Sequence, residues 1–368
     1  MKRSIGPLFI VLILLGAIVV LYNKCSVRNI FNLKTQREAY FDKLKKISDT
    51  LAMQWDSSAK LSLSAPYQVL FPYAEKGTFK GFQATGLRFS TIAGRQINIS
   101  ITNHAAQKIF ADLVQADSSG FNTVVEADTT KNIIQHAAYF GGDFILRLQP
   151  VANYTGHYEV MIESEPLLQW PVQEGVNANI GSYWGANRDG GARRHEGIDI
   201  FAPRGTYLVA VADGIVHRVG QNNLGGNVIF MRPNDMPLSV YYAHLDTQLV
   251  EQGARVKAGD TIATIGNTGN AISTPPHLHL GIYARPYGAI DPIGFVQKAA
   301  SAQLPSAGLP QQKFKTGKAI RLLQQPESRA PYRNIARTDT VHVLGVSGNY
   351  YRVQTSSGNN GFILQKDF

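Results

Sequence analysis

The histidines of one β-like stretch constrain this fold more than any other feature. The stretch opens with His195-Glu196-Gly197-Ile198-Asp199, passes through Tyr241-Tyr242-Ala243-His244-Leu245, and closes with His277-Leu278-His279-Leu280-Gly281. In a strand, residues i and i+2 point to the same face. His195, Gly197 and Asp199 then share one face, with Ile198 and Ile200 on the other. His277, His279 and Gly281 likewise share a face, with Leu278 and Leu280 behind them. Gly197 argues against a helix that would align His195 and Asp199 at i, i+4. Polar side chains that bind metals line one face, and aliphatic ones anchor the other in a core. A rigid site on a sheet is built in this way.

The donor types suit zinc, which takes neutral imidazole nitrogen and carboxylate oxygen at about 2.0–2.2 Å. A catalytic zinc keeps three protein ligands and an open position, so two histidines and one aspartate would serve. Histidines beyond that number suggest proton transfer or oxyanion stabilisation beside the metal. Each histidine taken alone is more simply a hydrogen-bonded structural residue, and the order and spacing of the whole set carry the argument.

These motifs, H-x-x-x-D, a His after a Tyr-Ala pair, and H-x-H, resemble those of the lysostaphin-like zinc metallopeptidases of bacterial cell walls. Gly253-Ala254-Arg255-Val256-Lys257-Ala258-Gly259-Asp260 and Gly266-Asn267-Thr268-Gly269 also match turns of that family. The likeness covers roughly Trp170 to Phe295. It implies one zinc ion held by His195, Asp199 and His279, with His244 and His277 as the catalytic pair. A degenerate relative that binds the wall without cutting would be expected to have lost ligands, and none of the five is missing here.

The rest of the chain sets the context. With 368 residues it is too long for one small core, and two to four domains are expected. Glycine is plentiful and helical patterning scarce after residue 60, so the fold class is mainly β and multidomain. The net charge of +10 suits an anionic polymer or membrane surface. The basic residues are not interleaved with aromatics as nucleic-acid motifs require, so no nucleic-acid partner is expected.

Residues 1–27 contain Met1-Lys2-Arg3 and an uncharged apolar run from Ile5 to Tyr22. Eighteen residues at 1.5 Å rise just cross a hydrocarbon core of roughly 30 Å. No convincing small-x-small cleavage site follows. The expectation is a single-pass anchor in the bacterial inner membrane with the catalytic part in the periplasm or wall space, a cleaved signal being the alternative. Cys25, the single cysteine, follows bulky and charged residues and is expected as a free thiol rather than a lipid attachment point.

Residues 28–58 carry Tyr40, Phe41, Leu44, Ile47, Leu51 and Trp55 near helical spacing and are expected as one amphipathic juxtamembrane helix. Residues 59–168 alternate between short strands and turns, as in a β-sandwich, and weakly resemble the jelly-roll domains of secreted peptidases. Residues 169–298 form the expected peptidase domain. Its entry strand is Trp170-Pro171-Val172, and a glycine-rich loop at Asn179–Arg194 could bring Tyr183 or Trp184 to substrate. His217 lies outside the motifs and is expected to be non-catalytic. Residues 299–316 suggest a flexible linker. Residues 317–368 resemble bacterial Src-homology-3-like wall-binding domains, a small β-barrel.

The expectation is therefore a zinc-dependent endopeptidase acting on peptidoglycan peptide stems and crosslinks. The resemblance implies D-alanyl–diaminopimelate or glycyl-type bonds. The rival is a non-enzymatic wall-binding scaffold or regulator of another wall hydrolase, and a regulatory protein partner is a separate expectation. A zinc peptidase acting on protein substrates is the third reading.

Overall fold

The computed structural model describes residues 34–367, except 106, 119, 128–130, 311–312, 317–318 and 337–338. The expected anchor at 1–27, Cys25 and the start of the expected helix at 28–33 lie outside the described residues. Among the described residues no helix is long and apolar enough to cross a membrane.

The region expected as one amphipathic helix ending at 58 is two helices, Gln36–Ile47 and Asp49–Ser64. Thr35 and Glu38 form a reciprocal capping box at the first start. Ser48 is extended; its N–H closes on the Leu44 carbonyl while its side chain caps the Leu51 N–H. One residue thus ends one helix and starts the next. The apolar stripe lies on protein: Leu44, Ala52 and Trp55 bury against Phe110. The Trp55 indole N–H donates to the Pro150 carbonyl at 2.9 Å.

Two sheets follow, facing each other across one core. The first runs in the order Tyr67–Gln68, Thr85–Thr91, Gly142–Pro150, Ile109–Asp117, Gly120–Glu126. The second contains Tyr73–Gly81, Tyr154–Pro166, Arg95–Asn103 and Ile133–Ala138. Ile97, Ile99 and Ile101 show the strand period directly, each buried while Ser100 between the last two is exposed. They meet Leu87, Phe89 and Leu146 of the facing sheet.

The C-terminal strands do not form the separate barrel expected on a flexible tether. Lys313–Lys315, Ile320–Leu323, Tyr332–Ile335, Thr340–Ser347, Tyr350–Thr355 and Asn360–Leu364 extend the second sheet, which has ten strands in all. The join is antiparallel pairing of Lys76 with Val346 and Gly77 with Gly345. Leu323, Ala330 and Phe362 are buried in the core of the two-sheet body. The segment expected as a linker is partly packed: the Ala302 N–H donates to Glu163 and Leu309 rests on the C-terminal core. Close packing and backbone pairing override the linker-like composition.

Between these two halves sits the domain that carries the histidines. Its sheet runs Asn179–Ser182, Ile198–Phe201, His277–Ala284, Leu238–Gln248, Gly226–Pro233, Gly214–Asn222, Arg255–Val256. Ile198, Ile200, Leu278 and Leu280 are fully buried in its core, as the alternation requires. Val172 makes only a single bridge, to Leu208, so the expected entry strand does not form.

Candidate metal centre

Two central strands bring the motifs together. Ile198–Phe201 pairs antiparallel with His277–Ala284, with Asp199 opposite His279 and Phe201 opposite His277. Side chains directly opposite share a face, so Asp199 and His279 meet by register alone. His195 arrives differently. The strand begins only at Ile198, so His195 does not share its pleat as the alternation suggested. Its N–H donates to the Ala186 carbonyl at 2.8 Å and its carbonyl accepts from Gly185 at 2.9 Å. Gly197 between them is needed for room: a Cβ there would fall 2.7 Å from the His279 ring.

The tautomers follow from the partners. His195 Nδ1 lies 2.9 Å from the Tyr183 carbonyl oxygen, which only accepts, so Nδ1 carries the proton and Nε2 presents a lone pair. That Nε2 lies 3.0 Å from Asp199 Oδ1 and 2.9 Å from His279 Nδ1. His279 Nδ1 is in turn 3.1 Å from the same oxygen. One ligand atom from each of His195, Asp199 and His279 lies within 4.8 Å of the others. Lone pairs converging on one point suit a cation, and two nitrogens with one carboxylate oxygen are a donor set that fits zinc.

Asp199 is held as an anion. Burial opposes its charge, but His195 and His279, in the protonated forms they take without a metal, supply hydrogen bonds and positive charge that outweigh that and keep its carboxyl well below the usual range. Burial pushes the His279 imidazole down, against the opposing pull of Asp199. A neutral imidazole is the ligating form.

His244 and His277 stand beside this cluster. His277 Nδ1 is 2.8 Å from the Pro275 carbonyl, and its Nε2 is 4.0 Å from Asp199 Oδ1. His244 Nδ1 is 2.9 Å from the Thr268 carbonyl, and its ring centroid is 4.9 Å from that of His277. Both therefore carry the Nδ1 proton and keep Nε2 free of backbone partners. His244 has a left-handed φ of 62°, rare outside glycine. Ala243 pairs with His279 and Leu245 with Ile265, so the strand changes partner at His244. That break re-aims its side chain, as bulges do near functional sites.

All five side chains line one cleft of about 1070 Å³. Among the described residues every lining group lies between 182 and 283, so neither the two-sheet body nor the C-terminal strands wall it. Arg188 and Arg193 stand in the cleft lining with Glu196, Phe230, Tyr241 and Tyr283. The Asn179–Arg194 segment is more ordered than the expected loop: a strand, then a ribbon of Asn187–Arg188 against Arg193–Arg194. Tyr183 serves through its carbonyl while its ring is exposed, and Trp184 lines a smaller neighbouring cleft. His217 stays outside both clefts, against Phe230. Sequence reasoning missed Arg188, which donates to Asp199 Oδ2 at 2.7 Å. Only its place in the segment before the first motif could have marked it.

The fold and cluster define the class first: a β-sheet domain with a three-donor metal-type centre in an open cleft. Residues 193–292 match the model of Peptidase family M23, just over a quarter of the chain, and the lysostaphin-like resemblance of the motifs holds for this segment. Peptidoglycan DD-endopeptidase ShyC of Vibrio cholerae is 41% identical over 90 residues, 24% of this chain and 20% of that protein. Murein hydrolase activator NlpD of Salmonella dublin is 42% identical over 113 residues, 30% of this chain and 27% of that protein. The chain thus spans about a fifth to a quarter of the length of these two curated relatives. The catalytic domain of lysostaphin from Staphylococcus simulans matches at 34% identity over 32% of this chain and 92% of that one, with a TM-score of 0.30.

Proposed function

We propose that this chain is a zinc-dependent endopeptidase that hydrolyses peptide crosslinks of bacterial peptidoglycan. The observation that carries it is the convergence of His195, Asp199 and His279 beside two further imidazoles inside an M23 domain. Zinc held by those three residues supplies Lewis acidity toward a peptide carbonyl. The chain's own groups do the rest. With Nδ1 bound to carbonyls, His244 and His277 use Nε2 to take the proton of the attacking water, return it to the leaving amine and steady the developing oxyanion. The open cleft admits an extended peptide, and the basic chain suits a polymer bearing free carboxylates. The relative named as a DD-endopeptidase favours D-alanyl–diaminopimelate over glycyl bonds. The apolar run at Ile5–Tyr22 supports anchoring in the inner membrane with the cleft on the wall side.

The relative named as an activator supports a second reading, a regulator of another wall hydrolase. The complete donor set favours the enzyme. Zinc content and muropeptide digestion on one preparation of the full chain, beside His279→Ala, decide between them. The enzyme reading expects about one zinc per chain and new peptide-chain products from the wild type alone. Bound zinc without cleavage would establish the regulator instead, and absence of both would sink the zinc reading.

A further inference from the structure

The shortest contact on Asp199 comes from outside the histidine motifs. Its two oxygens face different partners: Oδ1 meets His195 and His279, and Oδ2 accepts from Arg188 Nη2 at 2.7 Å. The same Nη2 donates to Ser182 Oγ at 2.8 Å. Ser182 ends the strand Asn179–Ser182, which pairs with Ile198–Phe201 and places Ser182 opposite Asp199. The guanidinium therefore bridges the carboxylate to the neighbouring strand. A charge-assisted bond of this length is among the stronger polar contacts a side chain makes.

Arg188 is delivered by a small element of its own. Asn187 pairs with Arg194 and Arg188 with Arg193 in a two-stranded ribbon separate from the main sheet. Its turn passes through three successive left-handed residues, Asp189, Gly190 and Gly191, at φ of 50°, 68° and 101°. A non-glycine in that region is held against a local cost that its surroundings must outweigh. Arg193 Nε donates to Asp189 at 2.7 Å, and Arg194 bonds Asn187, closing the ribbon from both sides. The residue just before the ribbon, Ala186, grips the His195 main chain. One element thus fixes the backbone of one candidate ligand and the side chain of another.

We propose that Arg188 is a positioning residue: it ties up one oxygen of Asp199 so that only the other faces the metal, and the 187–194 ribbon exists to hold it there. The proposal rests on the metal reading above. Its physical content is coordination number. A carboxylate free to turn can offer both oxygens and fill a second position, and a catalytic zinc needs that position open. With Oδ2 occupied, Asp199 contributes one donor and the site stays at three. The Arg188 charge repels a bound cation, but its side chain is 29% exposed and that repulsion is screened, so orientation dominates.

The test uses the full chain, with zinc and then cobalt as the bound metal. Arg188→Ala is expected to lower zinc affinity, read by chelator competition, by about ten- to a hundredfold. The metal-free protein should still unfold in one cooperative transition, with lysine relieving any loss of stability. The cobalt form should lose visible absorption intensity, as happens when a four-coordinate site takes on an extra ligand. Arg188→Lys keeps the charge and one donor and should recover part of both. Ser182→Ala, which removes the other anchor, should shift both readouts the same way by less. Affinity within twofold of wild type with an unchanged cobalt spectrum overturns the proposal. Tighter binding with an unchanged cobalt spectrum overturns it too, because Arg188 would then act only as a repelling charge. So does a loss that tracks falling metal-free stability and that lysine does not relieve. A wild type that binds neither metal removes the metal reading itself, a result separate from any variant.

Discussion

At the scale of single residues, the site divides into what the motifs announce and what the backbone decides. Asp199 and His279 follow from strand register, and register follows from the apolar alternation behind them. His244 does not. Its left-handed backbone and the change of strand partner around it are set by contacts with the Gly225 and Thr268 backbone, which no local pattern encodes. Burial pushes its imidazole down to about 4, opposed by the Thr268 carbonyl and reinforced by His277 and His279. It is therefore neutral at pH 7 and ready to accept a proton through Nε2. Replacing His244 with Ala should leave zinc content unchanged and slow peptide cleavage by about 10²–10⁴-fold. A variant that keeps wild-type turnover would remove His244 from the chemistry. Arg188 was illegible for a related reason: a guanidinium near a carboxylate in space has no signature in spacing along the chain.

At the scale of elements, strands that alternate cleanly are recoverable from sequence and connections are not. The Gln96–Ile101 segment is legible because one face is buried and the pattern says so, whereas Gly142–Pro150 and Tyr350–Thr355 bury adjacent residues on both faces and show as apolar or β-branched runs instead. The ribbon at 187–194 was hidden because its two residues per strand have no core to pattern against. The helical region shows both outcomes. The apolar stripe was visible, but the break at Ser48 was not, since one serine serves two helices. What the stripe packs on is now specific: Trp55 is 1% exposed, its ring edge-on to Tyr40 and Phe110 at 5.2 and 5.7 Å. Trp55→Ala should destabilise the protein by about 3–5 kcal/mol in urea unfolding, combining lost burial, a cavity and an unpaired Pro150 carbonyl. A loss under about 1 kcal/mol would mean the helices are not part of the cooperative fold.

At the scale of the whole molecule, the chain returns to its own beginning. The N-terminal and C-terminal segments complete one body, and the histidine-bearing domain is inserted between them. Residues 277 positions apart make the decisive contact, a separation that no periodicity or turn signal spans. Arg352 Nε and Nη2 donate to the two oxygens of Glu75 at 2.7 and 2.9 Å, and both side chains are fully buried. The Tyr73 and Tyr158 hydroxyls donate to the same carboxylate at 2.7 and 2.8 Å, and the guanidinium lies 4.6 Å over the Tyr67 ring. Gly345 lets the strands close there, since a Cβ would sit 2.5 Å from the Glu75 carboxyl carbon. Burial opposes the Arg352 charge, but Glu75 outweighs it and holds the guanidinium protonated well above its ordinary range. Desolvation makes such a pair a weak source of net stability but costly to break on one side. Arg352→Met should therefore destabilise by about 3–5 kcal/mol, stranding a buried carboxylate, while Glu75→Gln with Arg352→Met should recover much of the loss. A C-terminal lobe acting as an independent module would behave otherwise: Arg352→Met would leave the main urea transition in place, and the lobe alone would loosen. Coincident loss of both lobes in one transition is the outcome this architecture demands, because the sheet that Arg352 closes belongs to both.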